Sequence, residues 1–294
     1  MEGQASLSLA APVCSVLAYS EAVAEVIAGE VQRGEVHSVF SAAANLLFQN
    51  DFVLSLNACD GVAVPNGLRL SAARGAFPFS ALRPGMPVLL GAWHLHIEGL
   101  PWSVDLRHCP RWRARLRCPP QLEGGTLVRN RERLRRLLLA PELVRVYEQQ
   151  GHPLLALMQA ELEGKHQLPT RPEALAERLA GWGPGLTPAG DDLLLGWLAA
   201  GWWLHGSEPD FLVTCQRLVT VAAARTHLLS RTWLTWAGRG YFSLPLLRLL
   251  ESLAEDDEGR LLAQAQAVLA LGASSGYDLL CGLVLGLTSP SLQP

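Results

Sequence analysis

Gly181-Trp-Gly-Pro-Gly-Leu-Thr-Pro-Ala-Gly-Asp-Asp192 runs without a break into Leu193-Leu-Leu-Gly-Trp-Leu-Ala-Ala-Gly-Trp-Trp-Leu204, and the reading of this stretch decides how the chain folds. Thr187 suits a helix N-cap and Pro188 the first helical position, where a missing N–H costs nothing. Asp191 and Asp192 then fall in the first turn, where the helix dipole favours negative charge. The helix behind them has almost no polar face, so it is predicted to be buried. Two adjacent carboxylates at the start of a buried helix need partners: a metal ion, arginine, or several N–H donors. Gly183, Gly185 and Gly190 let the backbone approach a ligand, and free N–H groups at a helix start make an anion site. The aspartates oppose a bare anion unless Mg²⁺ bridges them to phosphate oxygens, which makes Asp191 and Asp192 candidate Mg²⁺ ligands. The alternative is that they do no more than complement the helix dipole. The spacing fits neither the P-loop, which needs Lys after its second Gly, nor the dinucleotide GxGxxG, which follows a strand.

Outward from this stretch the C-terminal half keeps a helical period. Amphipathic helices are predicted from Arg129 to Leu139 and from Pro141, and further helices at about 153–163, 172–180, 188–204, 210–224, 226–238, 244–254, 258–271 and 276–287. From about Val36 to Leu116 the pattern is instead one of short strands: Phe52–Leu56, Gly61–Val64, Leu68–Leu70, Pro87–Leu90 and Trp93–Ile97, with turns at Asp60-Gly61, Asn66-Gly67 and Pro84-Gly85. Arg111 to Leu116 alternates strictly, placing Arg111, Arg113, Arg115 and Arg117 on one face of a strand and Trp112, Ala114 and Leu116 on the other. The expected class is α+β: a β-rich domain over 1–122 packed on a mainly α-helical domain over 123–294. No repeat of fixed period and no low-complexity linker is visible.

Composition narrows the function. The 294 residues carry 24 Lys+Arg against 27 Asp+Glu, a formal charge of −3 that gives no reason to expect a nucleic-acid or anionic-membrane partner. Lys165 is the one lysine. Leu193–Leu204, the longest clean apolar stretch, spans 12 residues where a membrane helix needs about 20. Glu2 and Pro12 are wrong for a signal peptide, so the cytoplasm is expected. The six cysteines Cys14, Cys59, Cys109, Cys118, Cys215 and Cys281 form no CxxC pair and are expected as thiols, with no structural zinc. His94, His96 and Glu98 share a strand face and could join His108 on a metal, although a solvated face explains them as well. GxSxG is absent, which leaves a serine hydrolase unsupported.

Two further segments carry candidate chemistry. In Ala224-Arg-Thr-His-Leu-Leu-Ser230, Thr226 and Ser230 share a helix face at i and i+4. In Leu271-Gly-Ala-Ser-Ser-Gly-Tyr-Asp278 another small-residue turn opens an apolar helix with an acid in its first turn, repeating the logic of the first stretch.

Together with His37-Ser-Val-Phe-Ser-Ala-Ala-Ala-Asn-Leu46, these segments resemble the AllH-like proteins, named for a subunit of bacterial oxamate carbamoyltransferase. Gly-Pro-Gly-Leu-Thr-Pro with Gly-Asp-Asp is the most specific element. Ala189 stands where family members commonly have Ser, which removes one hydroxyl. The resemblance implies a subunit or relative of an enzyme that moves a carbamoyl group between carbamoyl phosphate and oxamate in allantoin and purine breakdown. It implies other subunits as partners and a small anionic substrate, and it is compatible with a homo-oligomer. On that basis Asp191 and Asp192 are the candidate catalytic or metal-binding residues. Asn45, Gly183, Gly185, Thr187, Gly190, Thr226, Ser230, Ser274, Ser275, Gly276 and Asp278 are the candidate ligand contacts. The alternative is a non-catalytic assembly or regulatory subunit that binds a phosphorylated metabolite or nucleotide.

Overall fold

A computed structural model describes residues 14–117, 124–165, 167–289 and 292. Its class is α+β, with the strands in the N-terminal half and helices throughout the C-terminal half. Two compact units divide between Arg113 and Ala114. Cys118 and the N-terminal residues Glu2 and Pro12 lie outside the described residues.

The first unit is a mixed sheet of nine strands: β1 Val16–Ser20, β2 Gln32–Val39, β3 Ala43–Phe48, β4 Val53–Asn57, β5 Gly67–Leu70, β6 Pro87–Gly91, β7 His94–Ile97, β8 Ser103–Asp105 and β9 Arg111–Trp112. The strand order is β8-β7-β6-β2-β3-β4-β5-β1-β9. A short helix, α1, covers Ala24–Ala28. Leu46, Leu54, Leu56, Leu68 and Leu90 are fully buried in this sheet. The strand region begins earlier than Val36, because β1 and the first half of β2 precede it; β2 reads as polar, Val36 being its one buried position. Gly61–Val64, expected as a strand, is a connection instead. Gly61 N bonds back to Ala58 O and Gly67 N to Val64 O, as the crossover between the parallel strands β4 and β5 requires. The expected strand over Arg111–Arg117 stops at Trp112. Beyond it Ala114 O accepts Phe242 N and Leu116 N donates to Gly240 O, so these residues belong to the second unit.

The second unit holds α2 Gly124–Leu138, α3 Pro141–Gln149, α4 Leu155–Leu162, α5 Pro172–Leu179, α6 Ala189–His205, α7 Pro209–Ala223, α8 Leu228–Ala237, α9 Leu244–Ser252, α10 Glu258–Leu269 and α11 Ser275–Gly286. Prolines open α3, α5 and α7 at the first helical position, as a residue without an N–H can. No helix among the described residues is long and apolar enough to cross a membrane.

At the centre of this unit α6 and α11 run parallel and side by side, both nearly all buried. Glycine makes the approach possible. A Cβ on Gly196 would lie 2.0 Å from Leu279 O, and a Cβ on Gly282 would lie 2.0 Å from Leu193 O. The two contacts are reciprocal: Leu193 and Gly196 on one helix match Leu279 and Gly282 on the other. The match extends to the helix starts, where Gly190 packs on Leu179 O at the end of α5 and Gly276 packs on Val268 O near the end of α10. The helix pairs α5–α6 and α10–α11 are therefore related by an approximate two-fold relation. The likeness has no fixed period, since it keeps only Gly, Asp and Leu positions and joins its helices by loops of different length.

Candidate functional site

The two-fold relation places Asp192 and Asp278 at equivalent positions, each the fourth residue of its helix. Both helix starts lie at one end of the parallel pair. Thr187 Oγ1 and Ser275 Oγ meet across them at 3.2 Å. Thr187 was expected as the N-cap, but Pro188 occupies that place, its carbonyl accepting Asp191 N and Asp192 N, and the Thr187 hydroxyl is turned to Ser275 instead.

The adjacent aspartates have different surroundings. Asp191 Oδ1 accepts Gly181 N at 2.9 Å, and Oδ2 accepts the Thr226 hydroxyl in a short contact. Asp191 thus clamps the glycine loop and the segment before α8 onto the start of α6. Gly181 has φ +74, and a Cβ there would strike Arg225 O at 2.4 Å, so glycine is required for the clamp to close. Thr226 lies ahead of α8 rather than inside it, as expected of a residue whose hydroxyl is committed elsewhere.

Asp192 is 4% exposed, and its Oδ2 is buried without a hydrogen-bond partner. Burial lifts its carboxyl well above the usual carboxylate range. The Ser275 and Thr187 hydroxyls beside it pull the other way, while the charges of Asp278 and Asp191 push it further up. Burial thus favours the protonated form of Asp192, which can donate a hydrogen bond as well as accept one. Ser230, in α8, also has a buried hydroxyl without a partner.

Asp278 has a partner that sequence reasoning missed. His152 Nε2 lies 2.8 Å from Asp278 Oδ1, both side chains buried, though the N–H is not lined up for a regular hydrogen bond. His152 Nδ1 accepts Leu154 N at 3.3 Å, which leaves the ring proton on Nε2, facing Asp278. Tyr147 and Tyr277 stack at 4.2 Å and present ring edges to the imidazole. Burial raises the Asp278 carboxyl, and His152 partly offsets it. Burial also pushes the Tyr147 phenol to about 12. His152 stands in a loop with no motif around it, so only its distance in the fold reveals it. Its neighbour Pro153 lies 3.5 Å from where a Cβ on Gly183 would be, which brings the His152 loop and the glycine loop together.

The remaining candidates sort by environment. Gly183 (φ +120) and Gly185 (φ +94) have backbone that side chains rarely adopt, and around Gly185 a side chain would meet nothing within 4 Å. Gly190 and Gly276 are used in packing between helices. Ser274 caps α11 through its carbonyl, which accepts Tyr277 N and Asp278 N. Asn45 lies in the first unit, in a polar row across the sheet: its Nδ2 donates to Ser38 Oγ and its Oδ1 accepts Ser55 Oγ, and Asn66 Nδ2 donates to Ser55 Oγ. His37 Nδ1 and Asn66 Oδ1 are buried without partners in that unit. His94 Nδ1 is 2.9 Å from Ala92 O, and among the described residues no group of three His, Cys, Asp or Glu is arranged to hold a metal ion. Asp191 offers a metal no oxygen that is not already accepting a hydrogen bond. A cavity of about 200 Å³ lies along α6, lined by Leu175, Leu193, Trp197 and Leu285. Its acid, Glu161, is engaged by the N–H groups of Gln167 and Leu168.

Comparison with known proteins places both units in one family. Residues 179–287, which include both helix starts, match the oxamate carbamoyltransferase subunit AllH, and residues 15–111 match the AllH family N-terminal domain. No solved structure matches the chain. The chain belongs to the AllH family, which is described as a subunit of an oxamate carbamoyltransferase.

Proposed function

We propose that this chain binds substrate in an enzyme that transfers a carbamoyl group between carbamoyl phosphate and oxamate in allantoin and purine catabolism, assembled with other subunits. The observation that carries the reading is the buried, unpartnered Asp192 Oδ2 beside the Thr187–Ser275 hydroxyl pair, where two helix starts meet. Helix starts and hydroxyls suit the anionic end of a substrate, a phosphate or a carboxylate. Ionised aspartates would repel it. Burial, which favours the protonated Asp192 carboxyl, weakens that repulsion, and the Asp191 oxygens are committed to Gly181 and Thr226, so the reading does not call for the Mg²⁺ that the sequence suggests.

In the transfer, the oxamate amide nitrogen attacks the carbamoyl carbon, the bond from that carbon to the phosphate oxygen breaks, and the nitrogen's proton leaves with the phosphate. Holding both partners in line supplies much of the acceleration, and donors aimed at the carbonyl oxygen supply more. In this reading the loop from Gly183 to Thr187 and Ser275 hold the anion, Asp192 faces the carbamoyl or amide group, and Asp278 with His152 completes the wall.

The second reading, an assembly or regulatory subunit, draws on Trp182 and Leu186, which are 41% and 47% exposed on the glycine loop and offer apolar surface to a partner. Thermal melting of the purified chain with oxamate, carbamoyl phosphate, nucleotides and Mg²⁺, alone and with its partner subunits, separates the two. Stabilisation by oxamate or carbamoyl phosphate supports the transferase reading. A response to partner proteins alone, or to nucleotides alone, supports the other.

A further inference from the structure

The two-fold relation between α6 and α11 carries a consequence for what the site recognises, resting on the reading that the joined helix starts hold a substrate. Asp192 and Asp278 are equivalent residues, and each has buried oxygen without a regular hydrogen bond, Oδ2 of Asp192 and both oxygens of Asp278, but the group that faces them differs. At Asp278 the chain itself supplies a nitrogen: His152 Nε2, carrying its proton, 2.8 Å from Oδ1. At Asp192 no N–H reaches the carboxyl among the described residues, and Oδ2 stays buried and unpaired. A buried polar atom left without a partner is costly, so it calls for a group from outside the chain.

We propose that Asp192 is the specificity residue for the primary amide of the substrate, its carboxyl pairing with the ligand's –C(=O)NH₂ group in the place that His152 takes at Asp278. A neutral carboxylic acid and a primary amide are mutually complementary: the acid O–H donates to the amide oxygen while the amide N–H donates to the acid carbonyl. Burial, which favours the protonated Asp192 carboxyl, fits that pairing. The surrounding groups agree with it. The Thr187 and Ser275 hydroxyls meet each other beside this carboxyl, and a side chain at Gly185 in the same loop would meet nothing within 4 Å. Both oxamate and carbamoyl phosphate bear the group, so the shared chemistry is the –C(=O)NH₂ unit.

Two isosteric pairs test it, since pyruvate is oxamate with CH₃ in place of NH₂ and acetyl phosphate stands in the same relation to carbamoyl phosphate. Calorimetric titration of the chain with its partner subunits is expected to show at least one amide-bearing member binding roughly tenfold or more tighter than its methyl counterpart. The pair that shows the preference identifies which substrate Asp192 faces. In Asp192→Leu the preference is expected to vanish, and in Asp192→Asn, which keeps a donor and an acceptor, part of it should remain. Equal binding within both pairs by the wild-type protein overturns the inference while leaving the substrate site intact. Preference retained in Asp192→Leu overturns the assignment to this residue. If none of the four compounds binds, the functional reading itself fails. The wild-type comparison decides the matter even if the leucine variant does not fold.

Discussion

Asp191 and Asp192 are chemically identical and adjacent, and the fold gives them opposite tasks. Removing Asp191 deletes two hydrogen bonds to a buried carboxyl, so Asp191→Ala is expected to cost roughly 3 kcal/mol in chemical denaturation, with the loop and α8 loosened together. Asp192 behaves in the opposite sense. The unfolded chain releases its proton near the ordinary value of 3.8, while the folded chain holds it to higher pH. Wild-type stability is therefore lost as pH rises above that value, and Asp192→Asn is free of the loss. The asparagine variant should gain in melting temperature relative to wild type as pH rises above about 4, although its substrate binding weakens. An asparagine variant whose melting temperature falls relative to wild type as pH rises would contradict the raised carboxyl. At Asp278, His152→Leu should cost roughly 1–3 kcal/mol in denaturant melts, and His152→Gln, which restores an N–H, should recover part of it. Adjacent identical letters carry no signal that one will be spent on Gly181 and Thr226, so this division was closed to sequence reading; the pair's importance was not.

At the scale of elements, α6 and α11 meet backbone to backbone at Gly196 and Gly282. Gly282→Ala would place a methyl group 2.0 Å from Leu193 O, and neither helix can yield without separating from its neighbour. We expect a loss of roughly 3 kcal/mol or more from urea denaturation of Gly282→Ala, and the same from Gly196→Ala, because the contacts are reciprocal. The helices were legible because apolar periodicity and opening prolines are local signals, as at Pro141, Pro172 and Pro209. Strands were less so. β2 has few buried positions, and the segment from Gly61 to Val64 carries strand-like residues but serves as a crossover, a role fixed by β4 and β5 lying parallel. The pairing of α6 with α11 was visible as two similar turns. That they face each other across a two-fold relation depends on contacts between residues far apart in sequence, which no local pattern encodes.

At the scale of the whole molecule, the junction near residue 114 has a measurable consequence. Ala114 O and Leu116 N bond to Phe242 N and Gly240 O, so the helical unit includes these residues. A fragment of residues 114–294 is expected to melt higher than one of residues 123–294, which strands both Phe242 N and Gly240 O. Equal melting temperatures would show that these bonds contribute nothing. The residues from Arg111 to Arg117 read as one strand from sequence because the alternation continues across the junction, although the hydrogen bonds change partner there.

The fit of Leu193 O and Leu279 O into the hollows at Gly282 and Gly196 acts as a ratchet with a single notch. Neither helix can slide along the other by even a fraction of a turn without driving a carbonyl oxygen into a Cα. The spacing between the two acids is thus fixed at the level of the backbone, and a ligand too large for it cannot be accommodated by the helices moving apart lengthwise. Adaptation to different substrates among relatives with this pair of helices would have to come from the glycine loop and the residues that line it.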